Sequence, residues 1–109
     1  PARFAALRRD FPDLVMIISH AGGWQAWKEA VDVLAGGDYY IECSFATEMP
    51  PALLVELIRR HDPRKLLFGS DTPWMDMRRE REYLEQAIGD AAQADYALRL
   101  NAARLLGDG

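Results

Sequence analysis

Short apolar runs alternate along this chain with longer stretches of helical spacing. Leu14-Val15-Met16-Ile17-Ile18 is the first run, apolar at every position and rich in β-branched residues. Such a run predicts a parallel strand buried between two layers. Residues 39–45, Tyr-Tyr-Ile-Glu-Cys-Ser-Phe, predict a second strand, and 65–68, Lys-Leu-Leu-Phe, a third. Between them the period changes. Trp24, Trp27, Val31 and Leu34 share one face of a helix predicted over 24–35, which Gly36-Gly37 closes. Pro50-Pro51 opens another helix, with Leu53, Leu54, Leu57 and Ile58 as its apolar face and Asp62-Pro63 as its end. An amphipathic helix with a charged start is predicted over 77–88, and a last helix over 94–106. Residues 3–9 read as the end of a helix that Phe11-Pro12-Asp13 stops.

The order is α-β-α-β-α-β-α-α. Strands separated by helices imply right-handed crossovers and a parallel sheet. Ligands of such sheets bind beyond the C-terminal ends of the strands. Three polar elements fall at those ends: Ser19-His20, Glu42 with Ser44, and Ser70-Asp71.

Composition narrows the class. The chain has 109 residues, half of them apolar and 28% charged, which fits one globular domain. With 13 basic and 17 acidic residues its net charge is −4, which argues against a nucleic-acid footprint. No apolar run approaches the ~20 residues of a membrane span. The first residues carry no signal-peptide apolar region. A single cysteine, Cys43, excludes an internal disulfide framework and fits a reducing compartment, the cytoplasm.

His20 ends the first strand and precedes Gly22-Gly23, where the backbone can turn tightly beside a ligand. Its imidazole can bind a divalent metal or a substrate oxygen, or simply cap the strand. Asp71 ends the third strand within Phe-Gly-Ser-Asp-Thr-Pro-Trp. Its carboxylate can hold a metal and accept a proton, or form an Asx turn before Thr-Pro. Two such residues fall short of the three protein ligands typical of catalytic zinc. His61 precedes a strand, so it belongs to the opposite end of the sheet and reads as surface or capping. Cys43 reads as a small buried hydrophobe, with Glu42 on the other face as a polar contact. Trp24 and Trp74 flank the motifs and can wall a pocket or pack between layers. No GxGxxG, P-loop, GxSxG or CxxC occurs.

Three segments together resemble the amidohydrolase-related group: Phe11-Pro12-Asp13-Leu14-Val15-Met16-Ile17-Ile18-Ser19-His20-Ala21-Gly22-Gly23, Leu66-Leu67-Phe68-Gly69-Ser70-Asp71-Thr72-Pro73-Trp74, and Asn101-Ala102-Ala103-Arg104-Leu105-Leu106-Gly107. These are metal-dependent TIM-barrel hydrolases and decarboxylases, with relatives of aminocarboxymuconate semialdehyde decarboxylase and the TatD-like deoxyribonucleases among them. The resemblance implies that the first motif is barrel strand six, residues 39–45 strand seven and the Gly-Ser-Asp segment strand eight. His20 would then stand beside the metal, toward water or substrate, and in some members ligate a second metal. Asp71 would bind the metal and act as general base toward water. Asn101 would be tied to backbone near the active-site strand. Trp24 and Trp74 would lie on the substrate side.

The family's His-x-His pair of strand one is absent, and so is its strand-five ligand. A complete barrel needs about 250 residues. The expectation is therefore the C-terminal portion of a TIM barrel: three βα units, parallel strands and outer helices, over residues 1–109. The implied activity is hydrolysis of a C–N or C–O bond in a small molecule, with a divalent metal, zinc by expectation. A decarboxylase of the same family is the alternative, as is a truncated module without catalysis. Alone, this chain is expected to be inactive and to hold little or no metal. Its apolar runs exceed what three strands can cover, so association with a second copy or with the rest of a barrel is expected.

Overall fold

Side-chain alternation along three short strands decides which side of the sheet is covered. The computed structural model describes residues 1–107. Its strands are β1 (Ile17–Ile18), β2 (Tyr40–Glu42) and β3 (Leu66–Leu67), all parallel and in the order β1-β2-β3. Ile18 pairs with Ile41, and Ile41 with Leu66. Residues abreast in register share a face, and these three are no more than 2% exposed. The next row runs the other way. Ile17, abreast of Tyr40, is 51% exposed, and Glu42 lies abreast of Leu67. One face is thus sealed, and the other is open at Ile17, half-buried at Tyr40 and Glu42 and buried at Leu67.

Helices seal the first face. They are α1 (Ala2–Asp10), α2 (Trp27–Leu34), α3 (Pro51–Arg60) and α4 (Met77–Ile88), then α5 (Ala91–Asp95) and α6 (Asn101–Leu105). Val31 and Leu34 of α2, Leu54 and Leu57 of α3 and Leu84 of α4 are fully buried in one core with Ile18, Ile41 and Leu66. Burying each such side chain contributes about 2 kcal/mol. α1 is peripheral, with no buried residue. The Arg8 guanidinium, however, donates to the Phe11, Pro12 and Leu14 carbonyls and pins the turn into β1.

The α/β alternation matches the expectation from the sequence, and α4 has the bounds expected of it. Other elements differ for local reasons. The helix expected from residue 24 begins at Trp27, because Gln25 takes a left-handed φ of 60°. The strand expected over 39–45 pairs only at Tyr40–Glu42. One further ladder bond follows, Cys43 N–H to the Leu67 carbonyl, and then the left-handed Phe45 turns the chain away. The last helix starts earlier than expected, because the Asp90 side chain caps it by accepting the Gln93 N–H at 2.9 Å.

Between α5 and α6 the backbone is π-helical over Tyr96–Leu100. There Asn101 N–H bonds back to the Tyr96 carbonyl, one residue further than in an α-helix. The Ala97 carbonyl accepts the Phe68 N–H instead, at 2.8 Å, which stitches the end of β3 to the helix. Asn101 itself is fully buried, and its Nδ2 donates to the Pro63 and Leu66 carbonyls, both at 2.8 Å. The expected tie to backbone beside the third strand is therefore present.

His61 corrects the sequence reading. It is 2% exposed, not at the surface. Its Nδ1 accepts the Gly36 N–H at 3.0 Å, and its Nε2–H donates to the Tyr39 carbonyl at 3.0 Å. The ring stacks on Tyr39. His61 thus clamps the end of α2 to the start of β2. Position before a strand gave no sign of this, because both partners are backbone groups distant in sequence.

Two outcomes follow from these buried polar groups. Asn101→Ala strands two carbonyls and leaves a void, so chemical denaturation should show a loss of roughly 2–5 kcal/mol. His61 is native only as the neutral ring, and burial lowers its pKa from 6.5. The unfolded chain therefore binds the extra proton, and stability is complete above pH 6.5 and falls as pH drops below it. Denaturation curves between about pH 8 and pH 5 should show a loss of at most about 1.4 kcal/mol per pH unit from this group. His61→Gln should flatten that slope.

Candidate active site at the strand ends

Each strand ends in a non-glycine residue with left-handed backbone: His20 (φ 57°) after β1, Phe45 (φ 61°) after β2 and Asp71 (φ 57°) after β3. Such geometry costs about 1 kcal/mol per residue and needs support from its surroundings. At β1 the support is visible. His20, Ala21 and Gly22 all have positive φ. The Trp27 indole N–H donates to the His20 carbonyl at 2.9 Å, and the Gly23 N–H donates to the same oxygen at 3.1 Å. A Cβ on Gly22 would sit 3.0 Å from both Ala30 Cβ and Leu34 Cδ1, so only glycine lets α2 press onto this turn.

Glu42 is the hub of the site. It stands on the open face of the central strand and reaches both neighbours. Its Oε1 accepts the Ser44 N–H at 2.7 Å, and its Oε2 accepts the Ser44 hydroxyl at 2.9 Å. The His20 N–H points to Oε2 at 3.4 Å. On the other side the carboxylate lies against Gly69, where a Cβ would come within 1.7 Å of Oε1. Gly69 is therefore the residue of the Gly-Ser-Asp segment that makes room for Glu42. Ser44, 3% exposed, also lies 2.8 Å from His20 Nδ1 through its hydroxyl. The His20 ring meets the Phe45 ring edge-on at 5.0 Å, and Trp24 leans on Phe45 at 6.0 Å.

A serine, a histidine and a carboxylate in contact invite comparison with a nucleophile triad. The order here is different. In a triad the carboxylate bonds the histidine and the histidine activates the serine. Here the buried serine sits in the middle, and its one proton faces the carboxylate. Ser44 orients its neighbours and is not available as a nucleophile.

Asp71 is half-buried on the loop after β3. Its backbone carbonyl accepts the Trp74 N–H at 3.0 Å, and its carboxylate makes no hydrogen bond among the described residues. Ser70 Oγ and Thr72 Oγ1 lie 2.9 Å apart and brace the loop on either side. β1 and β3 flank β2, so His20 and Asp71 follow the two strands on either side of the one that carries Glu42. Trp24, 56% exposed, stands on the His20 side, and Trp74, 78% exposed, on the Asp71 side. Among the described residues, no group of three or more His, Cys, Asp or Glu side chains could hold a metal ion.

The loop after β2 is held from behind. Glu80 of α4, 1% exposed, accepts the Thr47 hydroxyl and, at 3.5 Å, the Thr47 N–H. Glu80 belongs to the charged start of α4, Arg78-Arg79-Glu80-Arg81-Glu82, whose other members are exposed. Helical phase turns it inward, toward Thr47, a partner 33 residues away.

Cys43 is excluded from the chemistry. It is 1% exposed on the sealed face, and burial pushes its thiol up to about 12. A thiol-specific reagent at mildly alkaline pH should leave it unmodified in the native protein and label it fully once the chain is denatured. Rapid labelling of the native protein would contradict its placement.

Three comparisons bear on this geometry. No curated protein matches the chain. A crystal structure described as an amidohydrolase II superposes with a TM-score of 0.65 at 24% sequence identity. The match covers 94% of this chain and 38% of that one. At that identity the likeness shows the fold: an α/β arrangement of parallel strands and helices. The family model described as amidohydrolase matches residues 1–107, all but the last two positions. With a match of that extent, the chain belongs to the amidohydrolase family.

Proposed function

We propose that this chain forms the C-terminal part of a TIM-barrel, metal-dependent hydrolase, with β1, β2 and β3 as strands six, seven and eight. The observation that carries the reading is the position of His20 and Asp71 after the two outer strands of the sheet. Each is held in left-handed geometry at the C-terminal end of its strand, the end where ligands of parallel α/β folds bind.

Asp71 and His20 would hold a divalent cation, zinc by expectation, through a carboxylate and an imidazole nitrogen. Both donors suit that ion, and two protein donors are fewer than the three of a typical catalytic site. The remaining ligands would come from strands outside this chain. When bound, such an ion supplies Lewis acidity toward water and toward a C–N or C–O bond. Asp71 is the proton acceptor, since its carboxylate has no hydrogen-bond partner among the described residues and can take a proton from water at the strand ends. His20 faces the substrate side, where its free ring nitrogen can accept a hydrogen bond. Trp24 and Trp74 flank the opening and exclude water from an apolar part of a small substrate. The open sheet face leaves Val15 and Ile17 67% and 51% exposed, and barrel strands or a second copy would cover it.

Zinc titration of the 109-residue chain should give weak binding well short of one ion per chain. Asp71→Asn should lower that affinity about tenfold or more. Tight, stoichiometric zinc would contradict a two-donor site, and an Asp71→Asn variant that binds as wild type would remove Asp71 from it.

A further inference from the structure

We infer that Glu42, acting through Ser44, locks His20 in the tautomer that carries its proton on Nδ1 and leaves the Nε2 lone pair free. The argument is a count of protons. A serine hydroxyl has one proton and two lone pairs. A carboxylate has none to give, so along the 2.9 Å contact Ser44 donates and Glu42 Oε2 accepts. The hydroxyl proton is then used. His20 Nδ1 lies 2.8 Å from the same oxygen, so the ring must donate there. A neutral imidazole carries one N–H, and Nε2 is left bare.

Three features keep the carboxylate where this order requires it, and a fourth holds the ring. The Ser44 N–H fixes Oε1 at 2.7 Å, and the His20 N–H approaches Oε2 at 3.4 Å. Gly69 leaves the space that the carboxylate occupies. Phe45 meets the imidazole edge-on and limits its rotation. Glu42 has no contact with a reacting atom in this arrangement, so it is a positioning residue. Its effect is chemical all the same, because a cation or an acidic substrate proton needs the bare nitrogen at Nε2.

That consequence for ligand binding rests on the hydrolase reading, but the tautomer itself does not, and it is measurable without metal or substrate. The protein has two histidines, which the structure places in opposite tautomers: His61 with its proton on Nε2, His20 with its proton on Nδ1. Nitrogen-15 spectra of the metal-free chain, taken where both rings are neutral, should show both patterns, with His61 as the internal reference. Glu42→Gln should invert the chain of bonds. Its amide oxygen stays toward the Ser44 N–H, and its NH2 replaces Oε2 and donates to Ser44 Oγ. The hydroxyl then donates to Nδ1, and the His20 proton moves to Nε2.

The expected result is Nδ1–H for wild-type His20 and Nε2–H for Glu42→Gln. Wild-type His20 with its proton on Nε2, or an even mixture of the two forms, overturns the inference. So does a Glu42→Gln variant that keeps Nδ1–H. If that variant does not fold, as judged by loss of the His61 pattern, Ser44→Ala replaces it and must lose the Nδ1–H preference. Weak zinc binding that ignores Asp71, together with an intact Nδ1–H, would fail the hydrolase reading alone.

Discussion

Ile18, Ile41 and Leu66 stand abreast on three adjacent strands, and the rest of the molecule is arranged around that row. Helices must cover it, because about 25 cal/mol for each Å2 of apolar surface favours removing it from water. Once it is covered, the pleat sends every neighbouring residue the other way. Glu42 follows Ile41, so it has no choice but the open face. Cys43 returns to the core, where burial makes it chemically inert. A polar site is thus a direct consequence of how the apolar row is packed.

The site in turn depends on a carboxylate that touches the segments just beyond all three strands. Glu42 bonds Ser44 two residues on in its own chain segment, approaches the backbone of His20 on one side and rests on Gly69 on the other. A half-buried carboxylate without partners would be costly, and here each oxygen accepts from the protein. The bonds that satisfy Glu42 are the bonds that orient His20. Structural need and functional orientation are met by the same contacts. Behind the site the same economy recurs: Glu80 is satisfied by Thr47 and so holds the loop that carries Phe45.

Much of this was legible in the order of residues. The alternation of β-branched runs with helical spacing predicted three parallel strands with helices between them. The Pro50-Pro51 and Gly36-Gly37 signals fell at helix ends, and α4 has its expected bounds. His20 and Asp71 could be placed at strand ends from the apolar runs alone. The resemblance implied that Asn101 is tied to backbone, and it bonds two carbonyls. Other features gave no signal. His61 looks like part of a charged surface segment, yet both its nitrogens bind backbone groups more than twenty residues away. Glu80 sits in a run of charges and is the one that points inward.

The division has a physical cause. Local sequence determines what depends on neighbours along the chain: helical period, strand alternation, caps, turns and the face on which each side chain emerges. It therefore determined the α/β class and the two ends of the sheet. Only the tertiary structure decided which polar groups meet across strands. Hydrogen bonds act over about 3 Å, and their partners here come from residues 20, 42 and 44, brought together by packing. Glu42 and Ser44 could be listed from sequence as polar residues near a strand end. That they stand in one line to His20, in an order that decides where its proton sits, is a property of the fold.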